Sequence, residues 1–231
     1  ANPSTDGTLV TFTVTLDAST ATPAGSVTVT ADDVLVDSCT PTQASANRAS
    51  CTVSTAGLTP GTRLIAASFT GNGNFVDSSA TLLQVVRART TTSVTSSAEP
   101  APYAGVVRLT VAVATDTTTA TGSVTIRDGG ATLTTCTLSG GSCTWTTSSP
   151  LSLGDHAITA TYAGDAGHAG STSGTLTQTI ETVATTTTLT SNVNPSVYRQ
   201  TVRYTILVES TTGIPTGSVT VFAGGSSIGS C

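Results

Sequence analysis

Five cysteines are the residues of this chain best suited to do chemistry, and four of them fall into two close pairs. Cys39 and Cys51 flank an Ala/Ser-rich stretch, and Cys136 and Cys143 flank the turn Ser139–Gly141. Each pair can face across a hairpin at a separation that suits a disulfide. Reduced structural thiols and a two-cysteine metal pair are the alternatives, although two cysteines without a nearby histidine make a poor zinc site. Disulfides would place the protein outside the cytoplasm.

Cys231 is left over from this pairing. By analogy with the two pairs, its partner would follow 7 to 12 residues later, beyond the last residue of the sequence. A shortened chain explains the odd cysteine, and an intermolecular disulfide is the sharper alternative.

Nucleophilic chemistry is suggested by Gly225–Gly229, which fits the pattern G-x-S-x-G around Ser227. That motif needs a strand–turn–helix context and a His–acid pair, whereas the pattern here predicts a β-hairpin. The histidines, His156 and His168, are expected to be partly exposed strand and loop residues without a catalytic or metal-binding role. No catalytic residue is therefore assigned, and the chain is predicted not to be an enzyme.

Calcium chemistry is suggested by Asp32, Asp33 and Asp37, since calcium prefers several hard oxygen ligands. Asp32 and Asp33 are also expected in a turn, where Asp is favoured for local backbone reasons. No cofactor is therefore predicted, and calcium at a domain junction that brings in Glu181 or Asp77 remains the alternative. Stacking surfaces for a glycan are scattered along the chain, at Trp145, Tyr103, Tyr198 and Tyr204.

The elements that position these residues are repeated along the chain. The motif P-x-G-S-V-T-V, with small variations, occurs at 23–29, 120–126 and 215–221, and its glycines lie 97 and 95 residues apart. Cys39, Cys136 and Cys231 keep the same two intervals. A period near 95 residues is too long for a solenoid unit and suits one small β-domain.

The second copy shows the strands most clearly. Val107–Val113 and His156–Tyr162 alternate apolar and polar residues, which predicts strands with one buried face. Asp128–Gly130 and Ser139–Gly141 supply turns. About seven short strands with turns at short intervals and no helical periodicity predict a β-sandwich.

The repeats predict three domains, with boundaries at 1–86, 87–182 and 183–231. The first is expected to lack its first strand and the third to contain only the N-terminal half of a repeat. The junctions Val86–Thr92 and Ile180–Thr188 contain no Gly or Pro and are rich in β-branched residues. Such sequences favour extended backbone over a flexible linker, so we expect short, semi-rigid joints.

Composition excludes several classes of function. Charged residues make up 9% of the chain, the net charge is −5, and all cations are arginines. Nucleic-acid binding needs concentrated positive charge and is not expected. No apolar run approaches the ~20 residues of a membrane-spanning helix. The chain is 37% hydrophobic, which together with the alternation favours folded β structure over disorder.

The order of a Thr-rich strand, Asn194–Ser196, the P-x-G-S-V-T-V motif, a Gly-Gly turn and Ala160–Asp165 resembles the bacterial immunoglobulin-like (Big-type) repeats of secreted and surface proteins. The resemblance implies tandem Ig-like sandwiches that act as an extracellular stalk or fibre segment at the bacterial cell surface. Its partners would be neighbouring repeats or identical chains, and a surface glycan or protein ligand.

Two other functions stay open at this point. The chain could be a subunit of a filament or surface layer in which strands or domains of neighbouring chains complete each other, because both ends of the sequence fall inside repeats. It could also carry accessory glycan-binding modules of a secreted enzyme.

Overall fold

All 231 residues are described by the computed structural model, and every regular element in it is a β-strand. This confirms the all-β prediction. No helix has the length and apolar character needed to cross a bilayer. The strands fall into three groups, which we name unit 1 (residues 4–87), unit 2 (residues 91–181) and unit 3 (residues 185–230). The domain boundaries at 86/87 and 182/183 stay a prediction.

Unit 1 is a sandwich of two sheets. Its strands are β1 (Ser4–Thr5), β2 (Val10–Asp17), β3 (Gly25–Ala31), β4 (Val34–Cys39), β5 (Thr42–Ser45), β6 (Arg48–Thr55), β7 (Gly61–Gly71) and β8 (Ser78–Arg87). One sheet has the order β1-β8-β7-β3-β4, and the other has the order β2-β6-β5.

Unit 2 repeats this arrangement and adds a strand. Its strands are β9 (Thr91–Ser96), β10 (Ala101–Pro102), β11 (Arg108–Ala114), β12 (Ser123–Asp128), β13 (Ala131–Thr137), β14 (Ser142–Thr146), β15 (Gly154–Tyr162), β16 (Ser171–Thr172) and β17 (Leu176–Glu181). One sheet has the order β10-β17-β15-β12-β13, with β16 beside β15, and the other has the order β14-β11-β9.

The sandwiches form because their strands alternate strictly. Along β11 every second residue is buried, and Leu109, Val111 and Val113 face the opposite sheet. Fourteen buried residues fill the core of unit 2 and nine fill the core of unit 1. Burial of these apolar side chains is the main stabilising contribution in each sandwich. The strand β9 covers one end of the unit 2 core and has no counterpart in unit 1.

Unit 3 consists of two hairpin-like pairs. Its strands are β18 (Thr185–Ser191), β19 (Tyr204–Ser210), β20 (Thr220–Ala223) and β21 (Ser226–Ser230), with β18 paired to β19 and β20 paired to β21. Its apolar residues Leu189, Leu207, Phe222 and Ile228 are between 51% and 63% exposed. The Ig-like pattern of unit 3 is therefore present as strands but without a closed core.

The cysteine pairs are joined, but in a different geometry from the predicted one. Cys39 of β4 is bonded to Cys51 of β6, and Cys136 of β13 is bonded to Cys143 of β14, with Cα–Cα distances of 6.0 and 6.1 Å. We expected each bond to cross a single hairpin, and this is wrong. The paired strands belong to opposite sheets, because β14 pairs with β11 and not with β13. Each disulfide therefore ties the two sheets of its sandwich together.

Candidate functional site

The segment Arg87–Thr90, which connects β8 to β9, forms the most elaborately bonded site in the chain. Ala88 is 2% exposed and pairs in parallel with His168 of the loop between β15 and β16. The Ala88 N–H donates to the Gly167 carbonyl at 2.8 Å, and the Ala169 N–H donates to the Ala88 carbonyl at 2.9 Å. The connection between units 1 and 2 is therefore a short piece of β-ladder, not a free linker.

Two threonines continue this contact into unit 2. The Thr90 hydroxyl donates to the Ala169 carbonyl at 2.8 Å and lies 2.7 Å from the Ser171 hydroxyl. The Thr92 hydroxyl also lies 2.7 Å from the Ser171 hydroxyl. The Thr-rich sequence after the joint is thus bonded to the loop of the same unit that receives Ala88.

Arg89 bonds the same connection back to unit 1. Its Nε donates to the Asp6 carbonyl at 2.7 Å, and the Asp6 N–H donates to the Arg87 carbonyl at 2.8 Å. Gly7 follows at φ +70°, and a Cβ there would lie 2.6 Å from an Arg89 guanidinium nitrogen. A glycine therefore allows both the left-handed turn and the approach of the arginine.

Asp165 holds the receiving loop in shape. Its Oδ1 accepts hydrogen bonds from the N–H groups of Gly167 and His168, both at 2.8 Å. Its Oδ2 accepts from the N–H and the hydroxyl of Thr121, at 3.0 and 2.7 Å. Burial alone would raise the pKa of Asp165, but the hydrogen bonds from Thr121, His168 and Gly167 hold it well below its usual range.

His168 and Tyr162 complete the buried side of this loop. His168 is 3% exposed, with Nδ1 2.8 Å from Asp165 Oδ1 and Nε2 2.7 Å from the Thr118 carbonyl oxygen. It therefore links the β11–β12 loop to the β15–β16 loop. Tyr162 is fully buried, and burial, together with the nearby Asp165, raises the pKa of Tyr162 to about 12. Within the structure, Tyr162 Oη and the buried Nε of Arg87 have no hydrogen-bond partner.

The polar clamp made by Asp165 and His168 belongs to unit 2 alone. At the corresponding positions unit 1 carries Asn72 and Phe75, and Phe69 replaces the tyrosine. The prediction that His168 is a partly exposed loop residue is wrong, because the segment that buries it comes from the connection to unit 1. The spacing Asp-x-x-His was the only local signal of this pair.

His156 is the second buried histidine, and its exposure was also wrongly predicted. It is 9% exposed, and its Nδ1 lies 2.6 Å from Asp128 Oδ2. Its Nε2 lies 2.9 Å from the Ser152 carbonyl oxygen and 3.4 Å from the Ser152 hydroxyl. Burial lowers the pKa of His156, but the hydrogen bonds to Asp128 and Ser152 outweigh it and the net shift is upward.

The group Asp128–His156–Ser152 has the residue types of a hydrolytic triad but not its geometry. The closest partner of Nε2 is a carbonyl oxygen, which requires Nε2 to donate a proton and leaves no lone pair for the hydroxyl. Ser152 therefore lacks a general base, and the group serves to fasten the β14–β15 connection to β12.

The remaining sequence candidates are dispersed. Asp32 binds Arg63 at 3.0 Å and accepts from the Leu64 N–H at 2.8 Å, which also lowers the pKa of the Asp32 carboxyl. Ser227 lies exposed in β21, opposite Phe222. No group of three or more His, Cys, Asp or Glu residues is arranged to hold a metal ion.

The aromatic residues and the last cysteine are also apart from one another. Tyr103, Tyr198 and Tyr204 are exposed in units 2 and 3, whereas Trp145 packs against the core of unit 2. Cys231 is free and exposed. The structure therefore brings no stacking surface together from these residues.

Comparison with solved structures gives low overall similarity. The fibronectin(III)-like modules of Clostridium thermocellum CbhA are 15% identical with a TM-score of 0.37, and the alignment covers 78% of this chain and 90% of theirs. A chimeric titin Z1Z2 tandem is 15% identical with a TM-score of 0.29, covering 78% and 94%. The ectodomain of mouse nectin-like molecule 4 is 12% identical with a TM-score of 0.30, covering 78% and 62%. No curated protein matches this chain.

The comparison with protein families is more specific. Residues 94–181 match the family model of the bacterial Ig-like domain, group 3. This range covers unit 2 from β9 to the end of β17. The match confirms the resemblance that the repeated motif predicted, and it places unit 2 in the bacterial Ig-like domain family.

Proposed function

We propose that this chain is a semi-rigid segment of an extracellular stalk or fibre at the bacterial cell surface, built from Ig-like units that hold one another at fixed angles. The observation that carries the proposal is the joint between units 1 and 2. Ala88 pairs with unit 2 while Arg89 bonds to unit 1, so the same four residues are held from both sides.

Three further features support this function. The joint has no Gly or Pro, which removes the residues that make linkers flexible. Each sandwich carries a disulfide between its sheets, which suits an oxidising environment. The surface is polar but nearly uncharged, and no site in units 1 and 2 brings together a nucleophile, a base and a cavity.

Nuclear magnetic relaxation of the full chain tests the proposal directly. If the joint is stiff, the backbone amides of units 1 and 2 report one shared rotational correlation time. Inserting Gly-Ser-Gly-Ser between Ala88 and Arg89 should separate the two values and provides the flexible reference. Small-angle scattering of the two proteins should show a broader distance distribution for the insertion.

A matched pair of substitutions locates the stiffness. Ala88→Pro removes the N–H that donates to Gly167 and should loosen the joint, whereas Ala88→Ser keeps that N–H and should not. Independent tumbling of units 1 and 2 in the unmodified chain would overturn the proposal.

A further inference from the structure

The open edge of β2 in unit 1 is the largest unsatisfied feature of the two sandwiches. In unit 2 the equivalent strand β11 lies between β14 and β9. In unit 1, β2 pairs with β6 on one side and has no neighbour on the other. An exposed strand edge with free N–H and C=O groups is a template for pairing with another strand.

The backbone groups on this edge can be assigned from unit 2. The Ser97 N–H donates to the Arg108 carbonyl at 2.9 Å on the β9 side of β11, so alternate residues from Arg108 onward point toward β9. An offset of 97 residues carries these positions to Thr11, Thr13 and Thr15 of β2. The main-chain groups of these three threonines therefore face the open edge.

The side chains below the edge are incompletely covered. Leu109 and Val111 are 0% exposed and Val113 is 5% exposed beneath β9. Their counterparts Val14 and Leu16 in unit 1 are only half-buried. Leu82, which corresponds to the core-packed Leu176, is 46% exposed. One strand of apolar contact is therefore missing from this face.

A groove runs along the edge where that strand would lie. It consists of two adjoining depressions of about 470 and 150 Å³, which share Val14, Thr15, Ala67 and Ala80. Phe69 and Phe75 line the larger depression, and Ser78 lies at its rim. The volume and the mixed apolar and hydroxyl lining fit an extended peptide segment.

The strand β9 shows which sequence fits such a groove. Its Val94 packs against the core, and Thr92 is 5% exposed with its hydroxyl on Ser171. Ser78 of the unit 1 groove corresponds to Ser171 at an offset of 93. The occupant must therefore carry a threonine and, two residues later, an aliphatic side chain.

The strand β18 of unit 3 meets this requirement and is poorly held where it is. Thr187 and Leu189 match Thr92 and Val94, and every residue of β18 is exposed. Leu189 remains 53% exposed although β18 is paired with β19. Moving Leu189 onto a formed sandwich core would bury apolar area that unit 3 leaves in water.

We propose that the open edge of β2 is a strand-acceptor site, and that its occupant is β18 of a second copy of this chain. The donated strand runs antiparallel to β2, with Leu189 opposite Val14 as Val94 lies opposite Val111. Thr187 then faces Ser78. This exchange links chains end to end, and it does not depend on the stiffness of the joint.

Disulfide trapping tests the register in the full chain. In the proposed register Thr190 lies opposite Thr13, so Thr13→Cys on one chain and Thr190→Cys on another should cross-link under mild oxidation. Both chains carry Cys231→Ser to remove the free thiol. The control places the second cysteine at Leu189, whose side chain points to the opposite face of the strand.

A second measurement blocks the edge without touching the core. Thr13→Pro removes one free N–H from the edge and should weaken self-association about tenfold, whereas Thr13→Val keeps that N–H and should not. Sedimentation over a range of concentrations measures the association, and an unchanged unfolding transition shows that the variant is folded.

The results separate the occupants. In-register cross-links together with Thr13-dependent association support the exchange. A chain that stays monomeric at all concentrations and forms no selective cross-link overturns it. If the synthetic peptide 90–97 binds the groove while the chain remains monomeric, the site accepts strands but the second copy is not the donor, which also overturns the proposal.

Discussion

At the scale of single residues, two histidines show how far local sequence reasoning reaches. His156 and His168 were expected to be partly exposed because each lies among small and polar residues. Both are buried, and each pairs with an aspartate, Asp128 or Asp165, from a loop or strand end. The alternation of neighbouring residues predicts which face a side chain takes, but it does not reveal a partner many residues away.

The His156–Asp128 pair makes the stability of unit 2 depend on pH. Because the pKa of His156 is raised in the folded state, its contribution is fully present below the ordinary value of 6.5 and is lost as the pH rises through the folded pKa. We expect the unfolding midpoint of unit 2 to fall between mildly acidic and mildly basic pH. Urea unfolding at several pH values measures this.

The variant Asp128→Asn provides the control for this dependence. It removes the charge that favours the protonated imidazole, and the decline with rising pH should shrink. An Asp128→Asn protein with the same pH profile as the unmodified chain would contradict the assignment.

At the scale of elements, the strands were largely predictable and their sheet membership was not. The alternation at Val107–Val113 and His156–Tyr162 locates β11 and β15 to within two residues. The two-residue strands β10 and β16 show no periodicity and were missed. A turn such as Ser139–Gly141 also looks the same whether the chain continues in one sheet or passes to the other. The disulfide therefore joins sheets where a hairpin was expected.

Removing this inter-sheet bond should destabilise unit 2 selectively. The double substitution Cys136→Ala and Cys143→Ala opens an eight-residue loop, which by chain entropy costs about 2.5 kcal/mol of unfolding free energy. Chemical unfolding followed by Trp145, the chain's single tryptophan, reports on unit 2. Cys231→Ala, which removes an exposed free thiol, should leave the transition unchanged, and an equal loss there would refute the assignment.

At the scale of the whole molecule, the sequence repeat predicted the architecture, since a duplicated block of this length implies duplicated sandwiches. The joint could be predicted only as extended. Its clamp depends on Asp165, His168 and Arg89, which have no counterparts in unit 1 at the matching positions and come together only when the units meet. The repeat therefore shows what the units share, and the differences between copies mark where they touch.

Separate cores predict separate responses to mutation. Ile65 and Ile158 occupy equivalent positions, at 3% and 0% exposure, in the two cores. We expect Ile65→Ala to lower the stability of unit 1 by about 2–5 kcal/mol and to leave the Trp145-detected transition of unit 2 nearly in place. Ile158→Ala should shift that transition by a similar amount. One common transition that moves equally for both variants would show that the units unfold together.

The parallel pairing of β1 with β8 and of β10 with β17 has a mechanical consequence. In each sandwich a strand near the N-terminus lies beside the last strand and runs in the same direction. A force that pulls the two ends of the chain apart slides these neighbours past each other, so their hydrogen bonds bear the load in shear and must break together. An array of such units would lengthen little until the force exceeded the strength of a whole ladder.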